Sequence, residues 1–137
     1  MTLTKVRPSG RESHFDENEI IVSKTDLKGR ITYANQVFLR VAHLSLQEAM
    51  GEPHSLIRHP DMPRCVFKLL WDTIQDKREI FAYVLNMAAN GDHYWVRAQV
   101  TPIMEGGKPV AYMSVRQRAT REEIAEWYLK NHQSHIS

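Results

Sequence analysis

The spacing of apolar positions along this chain changes period twice. Glu19 to Asp26 is a run rich in β-branched residues that closes on a polar turn, and it predicts a strand. Asp26 to Arg30, with Gly29 inside it, suits a hairpin connection, and Ile31-Thr32-Tyr33-Ala34 is the returning strand. From Asn35 the period becomes helical. Val37, Phe38, Val41 and Leu44 recur on one face, and Asn35 is a good N-cap. Ser45 and Glu48 stand at capping-box spacing and start a second helix, which Gly51 and Pro53 end. Pro63 suits the first position of a third helix, with Val66, Phe67, Leu70, Trp71 and Ile74 on one side.

From Ile80 the period is two. Ile80–Met87 is a strand, and Ala89-Asn90-Gly91-Asp92 holds the strongest short hairpin signal in the chain. His93–Met104 and Val110–Arg118 are strands joined by a turn at Glu105–Lys108. Thr120 and Glu123 then cap a last helix with Ile124, Trp127 and, as a further candidate, Tyr128 along its apolar stripe. Two strands followed by a three-strand meander can form one antiparallel sheet, with the intervening helices covering one face. The expected class is α+β, a five-stranded antiparallel sheet with short helices on one side and a cleft between the layers. Residues 1–18 read as a loose polar arm with a short helix near Phe15, 19–119 as the folded domain, and 120–137 as a C-terminal helix leading onward.

Bulk properties narrow the class without altering this layout. At 137 residues the chain is long enough for one core without staples. A formal net charge of +2, with basic and acidic residues interleaved, gives no basis for nucleic-acid binding. No apolar run approaches the roughly 18 residues of a membrane-spanning helix, and Met1–Gly10 lacks the apolar core of a secretory signal. The expectation is therefore no direct membrane insertion. A single cysteine excludes an internal disulfide and agrees with a cytoplasmic setting.

The chemistry concentrates between Leu56 and Trp71. Here Arg58, His59 and Asp61 are stiffened between Pro60 and Pro63 and run straight into the third helix. Arg58 can meet phosphate with paired, charge-assisted hydrogen bonds, His59 can stack on a ring or donate to phosphate, and Asp61 can hold either neighbour. The plainer reading is a surface ion-pair turn. Phe67 and Trp71, one helical turn apart, read as core. Asn86 interrupts an apolar strand; it either points inward, where an unmet amide costs about 1–3 kcal/mol, or faces solvent near the strand end. Arg116 is inward if it shares the parity of Tyr112 and Ser114, and outward otherwise. Tyr94, Val96 and Ala98 are placed inward, which leaves Trp95 exposed on the outer sheet face as a docking surface. Cys65 reads as a structural thiol. No paired carboxylates, metal-spaced cluster or nucleophile elbow appears, so catalytic turnover is not expected.

Five strings carry a resemblance: Ile31–Asn35, Gly51–His54, Arg58–Pro63, Asn90–Ala98 and Tyr112–Arg116. Taken together and in this order, over roughly residues 20 to 125, they resemble the PAS family, and more narrowly the FAD-binding PAS domains of bacterial aerotaxis receptors. The resemblance implies non-covalent FAD, read out as a redox or oxygen signal. It implies a transducer or output domain of the HAMP or chemoreceptor signalling type, reached across the outer face near Trp95, with a homodimer as a further expectation. By motif match it implies that Arg58, His59, Asp61 and Trp71 bind FAD, with Asn35, Phe67 and Asn86 beside the ring; Arg116, if it faces inward, is a further cofactor-binding candidate near the ring. The chain departs from the pattern at Glu79-Ile80-Phe81, where relatives often have Pro-Trp. It also departs at Met87-Ala88-Ala89, where basic residues commonly precede the Asn-Gly turn. Two other readings stay open: a ligand-free interaction module, and a haem gas sensor using His43, His54 or His59.

Overall fold

The computed structural model describes residues 6–136, with side chains as far as Lys130. Five antiparallel strands form one sheet: β1 (Ile21–Thr25), β2 (Ile31–Ala34), β3 (Ile80–Met87), β4 (His93–Glu105) and β5 (Lys108–Arg118). Their order is β2-β1-β5-β4-β3, so the first hairpin docks beside the last strand of the meander. Between β2 and β3 lie α1 (Gln36–Ala42), α2 (Leu46–Ala49), a 3₁₀ turn (His54–Ile57) and α3 (Arg64–Gln75); α4 (Arg121–Ile136) ends the described chain.

The caps follow from the local sequence. Asn35 accepts from the Phe38 amide at 2.9 Å, and the Ser45–Glu48 box is reciprocal. Pro63 stands one residue before α3, at its N-cap. The 3₁₀ turn carries no period long enough to predict it.

Pleat parity assigns the faces. Ile21, Ser23, Ala82, Val84, Asn86, Tyr94, Val96, Ala98, Tyr112 and Arg116 are all buried and share the helix-covered side. The main core packs Phe38, Val41 and Ala42 of α1 with Ile21, Ile31 and Ile57.

Three expectations are corrected here. The N-terminal arm is not loose: Ser9 N–H donates to Gly91 O, Ser13 N–H to His93 O, and His93 N–H to Arg11 O. Phe15 is buried edge-on to Tyr94, 6.2 Å between ring centroids. The arm stays in place because it satisfies backbone groups at the β3–β4 hairpin that would otherwise lack partners. Second, the outer face at Trp95 is not open. α4 lies over it, with Tyr128 edge-on to Trp95 at 5.7 Å and Glu123 bonded to Tyr83 and Arg97. The aromatic stripe that predicted the helix is what covers the sheet. Third, Cys65 is exposed in the first turn of α3 rather than a packed thiol.

Candidate cofactor-binding site

A cavity of about 360 Å³ opens between the inner sheet face and the helical layer, within the range of small-molecule sites. It exists because the sheet is thin where it could be thick. Ser23, Ala98 and Ser114 leave space around the middle of β1, β4 and β5. The opposite wall is Phe67, Leu70, Trp71 and Ile74 of α3, together with the 3₁₀ turn.

Arg116 stands at the centre of the sheet, in register with Ile21 on one side and Ala98 on the other. It is only 1% exposed. Its guanidinium lies 5.1 Å from the centroid of the Phe38 ring, a cation–π arrangement. One terminal nitrogen donates to Ser23 Oγ at 2.9 Å, and the other makes a long 3.5 Å contact with Asn86 Oδ1. Nε has no partner among the described residues. No carboxylate lines the cavity among the described residues. Burial pushes the Arg116 pKa down to about 10, so the side chain still carries its charge at neutral pH.

His54 extends this network. Its Nε2 is 2.9 Å from Ser23 Oγ. Burial first, and the nearby Arg116 charge second, push its pKa down to about 3, so the imidazole is neutral. Ser23 Oγ, with one proton and two lone pairs, thus meets both Arg116 and the neutral His54 ring. Arg116 donates to Ser23, and Ser23 links it to His54. The sequence offers His54 only as one of three candidate haem ligands and within the Gly51–His54 string, not as a partner of Ser23 beside Arg116. A histidine in a short polar connection gives no signal for which way it turns.

The structure brings together Arg58, Phe67, Trp71, Asn86 and Arg116 of the expected site residues. Asn86 is buried and inward, and Arg116 takes the inward parity. Arg58 is exposed at the rim, its guanidinium 4.9 Å from the Phe67 ring centroid. Trp71 is not core: at 36% exposed it forms the mouth, edge-on to Tyr112 at 5.8 Å and pressed against Gly29. A Cβ on Gly29 would sit 2.9 Å from the indole, and its φ of 83° is left-handed, so glycine suits this position on both counts.

Asn35, His59 and Asp61 do not line the cavity. The Asn35 side chain is engaged as the α1 cap and in ties to Ile20 O and Val22 N–H. His59 is buried, and its Nδ1 accepts from the Asp61 amide at 3.0 Å. Burial lowers its pKa more than the nearby Asp61 raises it, which keeps it neutral. The Asp61 carboxylate is 3.9 Å from that nitrogen and its side chain is 84% exposed, so it points to solvent. These residues build the loop, which lies along the free edge of β3. His59 N–H donates to Leu85 O, Leu85 N–H points to Met62 Sδ at 3.2 Å, and Arg58 bridges Asn86.

The comparisons agree with this geometry. The profile of the PAS fold family matches residues 31–116, well over half of the chain. The aerotaxis receptor of Escherichia coli strain K12 is 46% identical over 109 residues, 80% of this chain and 22% of the receptor. A nitrogen fixation regulatory protein of Klebsiella pneumoniae is 25% identical over 95% of this chain and 26% of its own length. The chain therefore spans about a quarter of the length of these relatives, a receptor and a regulatory protein. Among solved structures, the light-state Aureochrome1 LOV domain superposes with a TM-score of 0.75 at 21% identity, covering 82% of this chain and 91% of that one. A LOV domain studied with a flavin analogue gives 0.75 at 19% identity, covering 84% and 87%. Sheet order, helical layer and sequence profile agree: this chain belongs to the PAS family of sensory domains.

Proposed function

We propose that this domain binds FAD non-covalently in the cavity and serves as a redox or oxygen sensor for aerotaxis, signalling to a chemotaxis-type transducer. The observation that carries the reading is Arg116, a buried cation with no carboxylate beside it and an unpartnered Nε, adjoining the Asn86 amide in a cavity walled by aromatic rings. A buried charge without a partner is costly in an empty domain. It is expected where a ligand with electron-rich acceptor atoms is to be held. Phe67, Trp71 and Tyr112 offer apolar contact to a planar ring, and Asn86 can present either its carbonyl or its NH₂ to a ring edge with both donor and acceptor groups.

Bound flavin would supply reversible electron transfer that alters the charge and hydrogen-bonding edge of the ring. Arg116 would favour the more negative ring state, because its charge acts at low dielectric. Asn86 sits on β3, and the Tyr128 hydroxyl of α4 donates to Tyr83 O on the same strand at 2.9 Å. A turn of the Asn86 amide therefore has a short route to α4 and to an output domain of the HAMP or chemoreceptor type beyond it. The 46% identity to an aerotaxis receptor supports both that output and a cytoplasmic position. No helix among the described residues is long and apolar enough to cross a membrane. The haem alternative is disfavoured by the histidines. His54 Nε2 is engaged by Ser23, His59 faces its own loop, and His43 is exposed at a helix end.

An absorption spectrum of the purified protein, before and after incubation with FAD, tests the proposal. The two-banded visible spectrum of oxidised flavin is expected. A Soret band would replace the reading with haem, and a colourless protein that takes up no FAD would leave only an interaction module.

A further inference from the structure

The cavity's charge is one-sided in a way Arg116 alone does not explain. Its lining holds three cations, Lys28, Arg58 and Arg116, and no carboxylate among the described residues. Arg116 is at the floor, whereas Lys28 and Arg58 are both exposed at the rim. Neither rim cation takes part in any ion pair found among the described residues. Both are carried by stiff backbone. Lys28 sits in the β1–β2 turn, where Asp26 Oδ1 accepts from the Lys28 and Arg30 amides, both at 2.9 Å. The same turn is tied to the 3₁₀ segment by His54 N–H donating to Gly29 O at 2.9 Å. Arg58 sits in the proline-bracketed loop and stands over Phe67. Phe67 and Trp71 are four residues apart on α3, about 6 Å along its axis. Arg58 is stationed at the first ring, and the Lys28–Gly29 turn is pressed against the second.

We propose that Lys28 and Arg58 form a two-cation clamp at the mouth for the diphosphate of the bound dinucleotide, with Lys28 as a binding residue in its own right. The proposal rests on the flavin reading above and deepens it. Trp71 forms the mouth of the cavity, and Lys28 and Arg58 are the two exposed cations there that would hold the dianionic diphosphate of a ligand whose ring is bound by Arg116 and Asn86. The hairpin turn thereby adds a second positive charge to a rim that already carries Arg58. The stretch Met87-Ala88-Ala89 before the Asn-Gly turn offers none.

The test is a set of fluorescence titrations of wild-type protein, Lys28→Gln and Lys28→Arg with FAD and with riboflavin, which lacks phosphate, at low and high salt. Lys28→Gln is expected to weaken FAD by about fivefold at low salt, the scale of one exposed ion pair. It should leave riboflavin unchanged and flatten the salt dependence, while Lys28→Arg restores FAD affinity. Equal weakening of riboflavin, or unchanged FAD affinity in Lys28→Gln, would overturn the clamp while leaving the flavin reading intact. If wild-type protein binds neither compound, the flavin reading falls and the clamp falls with it.

Discussion

Replacing Arg116 by Met should cost the ligand-free protein nothing and cost ligand binding a great deal. Burial lowers the guanidinium's pKa from its ordinary value to about 10. At about 1.4 kcal/mol per pH unit, carrying that charge in the folded state opposes folding by about 3 kcal/mol. Removing it also deletes the hydrogen bond to Ser23 and the weak contact to Asn86, worth about 1 kcal/mol each. Methionine is long and flexible enough to fill much of the space and to rest against the Phe38 ring. Loss of the cation–π contact with Phe38 takes away about 1 kcal/mol more, so the net expectation for flavin-free protein is close to zero, a urea midpoint within ~0.5 M of wild type with an unchanged slope. The same variant should lose flavin affinity by tenfold or more. A fall in the stability of flavin-free Arg116→Met by more than about 2 kcal/mol would refute the reasoning. It would mean that the arginine holds the sheet together rather than waiting for a ligand.

Three further outcomes follow from the same geometry. Asn86→Ala should shift the flavin reduction potential, measured by dye-coupled titration, because it removes the one amide that adjoins Arg116; an unchanged potential would take Asn86 out of the redox response. Gly29→Ala forces a left-handed φ on alanine and brings a Cβ to 2.9 Å from Trp71. It should lower stability by about 1–3 kcal/mol and alter tryptophan fluorescence, and a fluorescence spectrum identical to wild type would count against the Trp71 contact. His54 stays neutral in the folded state down to about pH 3 but takes up a proton in the unfolded chain below its ordinary value. The unfolded state thus binds more protons as pH falls from about 6.5 toward 3, and stability declines across that window by up to ~1.4 kcal/mol per pH unit. Urea midpoints for His54→Asn should fall less steeply over the same window.

The parts of this fold written in the sequence are those decided by neighbours along the chain. Asn35 and Ser45 cap their helices because a short polar side chain reaches an amide three residues on. β3 runs from Ile80 to Met87, the bounds its apolar, strand-favouring run suggests. What the sequence left open was sidedness. Whether Arg116 faced in or out depended on register with β1 and β4, which the strand itself does not encode. Trp71 reads as core because its spacing is that of the buried face, yet the cavity takes the place of the residues that would have covered it. Trp95 reads as exposed until α4 folds back over it. The arm at Ser9–Phe15 has no periodicity, since a strand-like segment that pairs through its backbone needs none.

The site divides in the same way. Arg58, Phe67, Asn86 and Arg116 reach the cavity, while His59 and Asp61, from the same conspicuous run, shape the loop that presents Arg58. A motif marks a stretch of chain, and packing then decides which of its side chains meets the ligand. His54 and Lys28 lie outside the conspicuous run and reach the site through a 3₁₀ turn and a hairpin.

Titrating flavin-free protein with FAD and following the ligand's fluorescence would decide whether this cavity is a flavin site. Saturable quenching at one FAD per chain is predicted, as the ring comes against Phe67 and Trp71, with the affinity largely lost in Arg116→Met. A folded protein that leaves FAD fluorescence unquenched, or an Arg116→Met variant that binds FAD as tightly as wild type, would contradict it.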